Sequence, residues 1–271
     1  MPVQESVQER EPVRQLHHFE GEWTENRDLS VVGRSFTQLR LRRSTRPLSG
    51  RILDLGAGNG QASKLLAEAG LDVVSLDFTQ ASCVAIGGRG GSALRGDGTR
   101  LPFAADSFDG VVLLDVIEHM PSPHAVLAEC ARVLKPGGTL LVSCPNHDTN
   151  GLVKVMVRAR FGQWPTRDNL QVWDPTHYWL PTIAELRALL EGAGFVVEDA
   201  RFWARSAFVL GFGVLNAIRR RLRGGKTSKV GLTPARLDAI FERLASACDR
   251  VDNLLVMDTP SGMVVTARKP G

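Results

Sequence analysis

The feature that most constrains this fold is a repeated unit in which a short apolar run ends near a glycine or an acidic residue and leads into a helix-like stretch. These runs, of which SALR at 92–95 is the weakest, cover residues 51–55, 72–76, 92–95, 108–115 and 139–144. Strands that are apolar almost throughout are buried on both faces, and their alternation with helices is typical of parallel sheets. The sequence therefore predicts a doubly wound α/β fold.

Two further segments extend the predicted sheet. FVVEDARFW (195–203) has the composition of a sixth strand, and two apolar runs around the turn at 260–262 indicate an antiparallel hairpin at the sheet edge. We therefore expect a mostly parallel, seven-stranded sheet with an antiparallel edge hairpin and a helical cap.

The chain divides into an N-terminal segment and one main domain. Residues 1–48 are expected to form a loose tail and a helical cap segment, because residues 29–43 have the apolar spacing of one amphipathic helix. Residues 49–271 form the predicted domain. It carries two predicted insertions, a pocket insertion at about 148–180 and a helical insertion at about 205–249.

Capping residues mark the start of two predicted helices. Ser122 precedes Pro123, which suits an N-cap followed by a first helical position. Thr182 and Glu185 have the spacing of a capping box.

Composition excludes several classes of protein. The four cysteines lie far apart, which excludes a disulfide-dense secreted scaffold and a zinc ribbon and favours a reducing compartment. The net charge of +4 is too small to imply a nucleic-acid partner. No apolar run reaches the roughly 20 residues of a membrane span, and the first dozen residues are polar and acidic. We therefore expect a cytoplasmic protein, with its oligomeric state open.

Glycines and carboxylates follow the predicted strands at their carboxyl ends. The first strand leads into Asp54-Leu-Gly-Ala-Gly-Asn-Gly, and Asp77, Asp97 and Asp115 follow or end the next three strands. Ligands of open α/β sheets bind at this edge, where glycines allow close approach of the backbone. Asp77 is placed to accept hydrogen bonds from ribose hydroxyls, and Asp97 from an adenine amino group. The set therefore predicts a nucleoside site.

Five segments of the sequence resemble the successive motifs of class I S-adenosylmethionine-dependent methyltransferases. They are ILDLGAGNG, VVSLDF, RGDGTRLPFAADSFDGVVLLDVIEHM, VLKPGGTLLVSCPN and HYWLPTIAELRALLEGAGF, between residues 52 and 195. Within that family, the sequence is most similar to the small-molecule group that includes ubiquinone O-methyltransferase. The resemblance implies a Rossmann-like methyltransferase fold, S-adenosyl-L-methionine as cofactor, S-adenosyl-L-homocysteine as product, and no metal.

The resemblance also implies a role for each residue of the nucleoside site. The glycine loop would hold the methionine and ribose portions of the cofactor, and Asp77 would bind the ribose. Asp97 with Gly98 would bind the adenine amino group, and Phe78 would contact the adenine face. Asp54 and Asp115 would lie near the cofactor's amino group. The residues that we expect to bind cofactor are therefore Asp54, Gly56, Gly58, Gly60, Asp77, Phe78, Asp97, Gly98 and Asp115.

A nicotinamide dehydrogenase is the nearest alternative, because an acid about 20 residues after a glycine loop also marks that fold. Its third glycine would fall at position 61, which is Gln61 here. A dehydrogenase would also not need Asp97. The pattern therefore favours the methyltransferase.

Methylation of a hydroxyl oxygen requires loss of a proton, and a neutral imidazole is a suitable base near pH 7. His119, His147 and His177 all follow or precede elements at the expected cofactor edge, so they are the catalytic candidates. Each of them is open to a purely structural role, and some relatives use no base. The substrate pocket is expected to be lined by Trp164, Trp173, Tyr178 and Trp179.

These features predict transfer of a methyl group to a small-molecule acceptor, with a hydroxyl oxygen favoured over nitrogen or carbon. A cofactor-binding protein without turnover stays open as an alternative. So does a peripheral membrane protein, since the apolar segment 207–223 ends with four arginines in its last five residues. Strand four lacks the Asn/Asp-Pro-Pro-aromatic signature of nucleic-acid amino-methylating enzymes. The cluster Arg40, Arg42, Arg43 and Arg46 is expected to be a solvated face.

Overall fold

The computed structural model describes residues 31–147, 176–203, 243 and 262–271. The helices in these ranges are α1 (Val31–Arg42), α2 (Gln61–Glu68), α3 (Gln80–Gly87), a 3₁₀ helix (Ile117–His119), α4 (Pro123–Val133) and α5 (Ile183–Gly192). The strands are β1 (Arg51–Leu55), β2 (Asp72–Asp77), β3 (Ala93–Arg95), β4 (Phe108–Leu114), β5 (Leu134–Pro145), β6 (Val196–Trp203) and β7 (Gly262–Arg268).

The strands form one seven-stranded sheet in the order β3-β2-β1-β4-β5-β7-β6. The first five strands in chain order are parallel to one another. From β1 the chain winds outward to β3, then crosses back to place β4 on the other side of β1. The predicted doubly wound sheet is confirmed, and its topological switch point lies between β1 and β4, where ligands of such sheets bind.

Both faces of the sheet are covered, as the near-continuous apolar strands predict. Along β1, Leu53 and Leu55 contribute to one buried cluster and Ile52 to the other. The larger cluster includes buried residues of α4 and α5, such as Leu127 and Leu190. Alternate β1 side chains therefore pack in opposite directions, which fixes the register of the strand that precedes the glycine loop.

The antiparallel part of the sheet is formed by β7, which pairs with β5 on one side and β6 on the other. The predicted antiparallel edge is thus confirmed, with β7 paired to β6, and the apolar run before Pro260 lies outside the described residues. Burial explains this order, because Met263, Val264 and their apolar neighbours in β7 suit an interior strand. The outer strand β6 carries charges such as Glu198, which suit an edge.

Several local expectations can be compared with the structure. The Thr182–Glu185 capping box is present, with both reciprocal hydrogen bonds. Ser122 occupies the N-cap of α4 but makes no side-chain capping bond there, so Pro123 at the first helical turn marks this start instead. Helix α1 falls inside the predicted range 29–43.

The predicted division into a cap segment and a domain stays a prediction. Most of the two predicted insertions, and the whole of 207–223, lie outside the described residues. In the part of the chain that the structure describes, no helix combines the length and apolarity required to cross a bilayer.

Candidate active site

The loop after β1 is built around glycines in the left-handed backbone region. Gly56 has a φ of +74° and Gly60 a φ of +76°. A Cβ at Gly56 would lie 2.5 Å from Val116 Cγ2, and one at Gly60 would lie 2.7 Å from Ile86 Cγ1. Any side chain at these two positions would therefore be strained and would also collide with the elements on which the loop rests.

Asp77, at the end of β2, ties this loop to the neighbouring strand. Its Oδ2 accepts a hydrogen bond from the Gly58 N–H at 2.8 Å. Its Oδ1 accepts from the N–H and the hydroxyl of Thr79, each at 2.9 Å. The side chain is buried, so these bonds fix both carboxylate oxygens beside the glycine loop. The ribose-binding role of Asp77 stays a prediction.

Asp54, in β1, is a buried acid under the loop. Ser63 in α2 donates its hydroxyl to Asp54 Oδ2, and Ser63 Oγ lies 2.7 Å from Ser75 Oγ in β2. Burial raises the pKa of Asp54 to about 6, against the lowering effect of the Ser63 hydrogen bonds; Asp77 adds a smaller raising effect. Asp54 therefore titrates much nearer neutral pH than an ordinary carboxyl group.

The predicted adenine contacts lie after the ends of β2 and β3. Asp97 is exposed, and its Oδ1 accepts hydrogen bonds from the N–H and hydroxyl of Thr99, each at 2.8 Å. Phe78 is 43% exposed, and the buried Gly98 faces the core. Gly96 N–H donates to the Asp77 carbonyl at 2.9 Å, so the β2 and β3 ends meet.

Asp115, directly after β4, has a φ of +56°, which is uncommon for a residue other than glycine. Its carboxylate forms an ion pair with Arg40 of α1, whose side chain is only 12% exposed. The prediction of a solvated arginine face is therefore wrong for Arg40. It stays a prediction for Arg46, whose hydrogen bond to Glu198 Oε1 at 2.9 Å lies at an exposed position. Helix α1 is thus joined to the switch point of the sheet.

Residues 176–181 pack against the 3₁₀ helix that follows β4. The Tyr178 N–H donates to the Glu118 carbonyl at 2.9 Å, and the Trp179 indole N–H donates to the Ile117 carbonyl at 2.8 Å. The His147 N–H donates to the Pro181 carbonyl at 2.9 Å. This segment, which we call the 176–181 strap, therefore connects the ends of β4 and β5.

Two of the three candidate histidines come together at the strap. The rings of His119 and His177 have centroids 4.7 Å apart, and His119 Nδ1 lies 2.9 Å from Thr176 Oγ1. Glu118 and His177 are buried. The catalytic roles of His119, His147 and His177 stay predictions, although the geometry brings the first and last into one group.

We call Glu118, His119 and His177 the Glu-His cluster. Each residue offers one ligand atom, and these atoms lie within 4.8 Å of one another. Imidazole and carboxylate are also the groups that bind divalent transition metals. The expectation that no metal is needed therefore stays a prediction that can be tested.

The predicted pocket aromatics have different outcomes. Trp179 packs against the main hydrophobic cluster while its N–H bonds to Ile117. Tyr178 is half-buried, and Trp164 and Trp173 lie outside the described residues. The pocket-lining role of the four stays a prediction. Sequence reasoning overlooked Arg40 and Thr176, whose partners Asp115 and His119 are distant in the chain.

Comparison with known proteins agrees with this geometry. Residues 53–142, which are 90 of the chain's 271, match a family model described as a methyltransferase domain. The predicted class I S-adenosylmethionine-dependent methyltransferase domain is thereby confirmed for this part of the chain. It contains the glycine loop and the four acids at the predicted nucleoside site.

Two named relatives are similar over longer segments. A demethylmenaquinone methyltransferase of Renibacterium salmoninarum is 35% identical over 151 residues, which cover 45% of this chain and 63% of that protein. A ubiquinone biosynthesis O-methyltransferase of Azorhizobium caulinodans is 32% identical over 167 residues, covering 58% of this chain and 63% of that protein. The matches thus span less than two thirds of either relative.

Solved structures show the same fold. The cyclase SpnF superimposes with a TM-score of 0.58 at 21% identity, covering 88% of this chain and 80% of that one. Phosphoethanolamine N-methyltransferase 2 of Haemonchus contortus, solved with S-adenosyl-L-methionine, has a TM-score of 0.56 at 20% identity, covering 87% of this chain and 52% of that one. Proteins with different named activities share this fold, so function must be argued from the site.

Proposed function

We propose that this protein is an S-adenosylmethionine-dependent methyltransferase that methylates a hydroxyl oxygen of a small-molecule acceptor. The observation that carries the proposal is the bond between Asp77 and the Gly58 N–H. It joins a glycine-rich loop to a buried carboxylate at the carboxyl end of β2. This arrangement fits an adenosyl group, because the backbone admits close approach and the acid accepts from hydroxyls.

A phenolic or quinol-type acceptor is the class that we propose. It is supported by the names of the two relatives, which concern demethylmenaquinone and ubiquinone biosynthesis. The ubiquinone relative is named as an O-methyltransferase, which supports oxygen as the methylated atom. Methylation of nitrogen or carbon is the alternative, and product analysis separates the three.

Positioning is the main contribution expected of the chain. The bound cofactor supplies a methyl group already activated by a sulfonium, so the protein must align the acceptor and exclude water. Two elements contact the segment that follows β4. Arg40 holds helix α1 to Asp115 at the start of this segment, and the 176–181 strap is hydrogen-bonded to the 3₁₀ helix at its end. A histidine of the Glu-His cluster would accept the acceptor's proton.

The proposal is tested by time-dependent formation of S-adenosylhomocysteine from purified protein, S-adenosylmethionine and a panel of catechols and hydroquinones. Mass spectrometry then assigns the methylated atom. A matched variant, Gly60→Val, should form no product, because its side chain would meet Ile86. Its control is Gly70→Val, since nothing lies within 4 Å of a Cβ there, although its φ of +84° carries some strain.

Cofactor binding measured by calorimetry completes the test. Binding with turnover is the expected result. Tight binding without product from any acceptor of the panel would contradict the enzymatic proposal and favour the cofactor-binding protein. Failure to bind S-adenosylhomocysteine would contradict both.

A further inference from the structure

Thr176 makes two contacts with the same ring nitrogen of His119. Its hydroxyl oxygen lies 2.9 Å from His119 Nδ1, and its backbone carbonyl oxygen lies 3.3 Å from that atom. Thr176 is 5% exposed, so the contacts are made where water has little access. One residue therefore presents two oxygens to one nitrogen.

The pair of contacts distinguishes the two neutral forms of the ring. A neutral imidazole carries its hydrogen on either Nδ1 or Nε2, and a carbonyl oxygen can only accept a hydrogen bond. If Nδ1 carries the hydrogen, it can donate to both Thr176 oxygens. If Nδ1 is bare, the hydroxyl can donate to it, but the carbonyl then faces a lone pair. The two contacts together favour the form with hydrogen on Nδ1.

We propose that Thr176 is a positioning residue that holds the hydrogen of His119 on Nδ1, so that Nε2 is the basic nitrogen of the ring. The assignment of the hydrogen follows from the contacts alone. Its use in accepting a proton from an acceptor hydroxyl rests on the proposed function. Thr176 lies outside residues 53–142, which match the methyltransferase family model.

The strap makes this contact rigid. Two residues after Thr176, the Tyr178 N–H bonds to the Glu118 carbonyl, and the Trp179 indole bonds to Ile117. Both acceptors belong to the same 3₁₀ helix as His119. Thr176 and His119 are therefore carried by two segments that are already hydrogen-bonded to each other, which is how a supporting residue fixes a ring orientation.

The ring of His177 further confines His119. The two ring centroids are 4.7 Å apart and the ring planes meet at 52°. A neighbouring ring at this distance limits rotation of the His119 side chain about its own axis. The orientation set by Thr176 is therefore maintained by packing as well as by hydrogen bonds.

The experiment is nuclear magnetic resonance of the full chain labelled with ¹⁵N-histidine, at about pH 8.5, above the ordinary imidazole pKa of about 6.5. The ¹⁵N shifts of the two ring nitrogens report which one carries hydrogen, and His119→Gln assigns the signal. We expect the Nδ1–H form in the unchanged protein. A predominant Nε2–H form would overturn the proposal.

Two variants separate the hydroxyl from the shape of the residue. Thr176→Val has the same shape without a hydroxyl and keeps the carbonyl, the oxygen that can only accept, so we expect the Nδ1–H form to stay predominant in it. Thr176→Ser keeps both oxygens and should also show the Nδ1–H form. A change to a predominant Nε2–H form in Thr176→Val would overturn the proposal, because the carbonyl would then not hold the hydrogen on Nδ1.

Turnover supplies the second measurement. With a catechol or hydroquinone that is methylated by the unchanged protein, Thr176→Val should lower kcat severalfold and Thr176→Ser should not, while the Kd of S-adenosylhomocysteine stays the same in both. A lowered kcat in both variants, with the tautomer ratio intact, would overturn the role of Thr176 in the reaction. Absence of turnover with every acceptor would instead contradict the proposed function, because the ring signals are read without any substrate.

Discussion

Replacing Asp54 with Asn should remove a pH-dependent destabilisation of the fold. The carboxyl group is buried, and burial raises its pKa from an ordinary 3.8 to about 6. Asn has nearly the same shape, and its amide oxygen can accept the hydroxyl of Ser63 in place of Oδ2. The substitution therefore removes the charge while the hydrogen bond can persist.

The sign follows from the direction of the shift. Because the pKa is higher in the folded state, the protonated carboxyl group stabilises the fold relative to the ionised one. This stability is fully present below pH 3.8, and it is lost as the pH rises through about 6. A shift from 3.8 to about 6 corresponds to about 3 kcal/mol at 1.36 kcal/mol per pKa unit.

Urea denaturation between about pH 4 and pH 8 measures this effect as a difference between the two proteins. The advantage of Asp54→Asn in free energy of unfolding should grow by about 2.5 kcal/mol across that range, because about 0.5 kcal/mol of the full effect is already present at pH 4. Other titrating groups are common to both proteins and cancel. Asp72→Asn, at an exposed position of β2, is the control and should show no such growth. A constant difference between Asp54→Asn and the unchanged protein would refute the reasoning.

Changing Asp77 to Asn should weaken S-adenosylhomocysteine binding by about 10- to 150-fold, because one hydrogen bond to the carboxylate is worth about 1.5–3 kcal/mol. Calorimetry measures this against Asp72→Asn, and an equal Kd in both would contradict it. Arg40→Met should lower the free energy of unfolding by about 1–2 kcal/mol, discounted for the partial exposure of Asp115, whereas Arg42→Met on the exposed side of α1 should not. Urea denaturation measures the free energy of unfolding of both variants, and equal losses in the two would show that the ion pair contributes nothing. Removing divalent cations with EDTA should leave turnover unchanged; activity lost and then restored by zinc or manganese would reassign the Glu-His cluster as a metal site.

The parallel part of the fold was predictable because its determinants are local. Each strand is a short apolar run, and each glycine or acid that matters at the site follows its own strand directly. Asp77 and Gly58 are 19 residues apart, and their bond follows once β1 and β2 are adjacent and parallel. Adjacent parallel strands bring their carboxyl ends to one edge, so this contact needs no further information.

The contacts that escaped prediction join segments far apart in the chain. Arg40 and Asp115 are separated by 75 residues, and Thr176 and His119 by 57. The arginines near residue 40 are indistinguishable in the sequence. Only the packing of α1 against the sheet largely buries Arg40 and leaves Arg42 exposed. The pairing of β7 with β6 was missed for the same reason, because a turn signal at 260–262 favoured a local partner.

The position of β7 affects the order in which the domain can be assembled on the ribosome. Its two neighbours, β5 and β6, are both synthesised earlier, so β6 has no place in the sheet until residues 262–268 have emerged. Until then, the outer side of β5 presents unpaired backbone from Thr139 to Pro145, a template for aggregation. Completion of the sheet therefore has to await synthesis of residues 262–268, and chaperone protection of the nascent chain should matter most just before it.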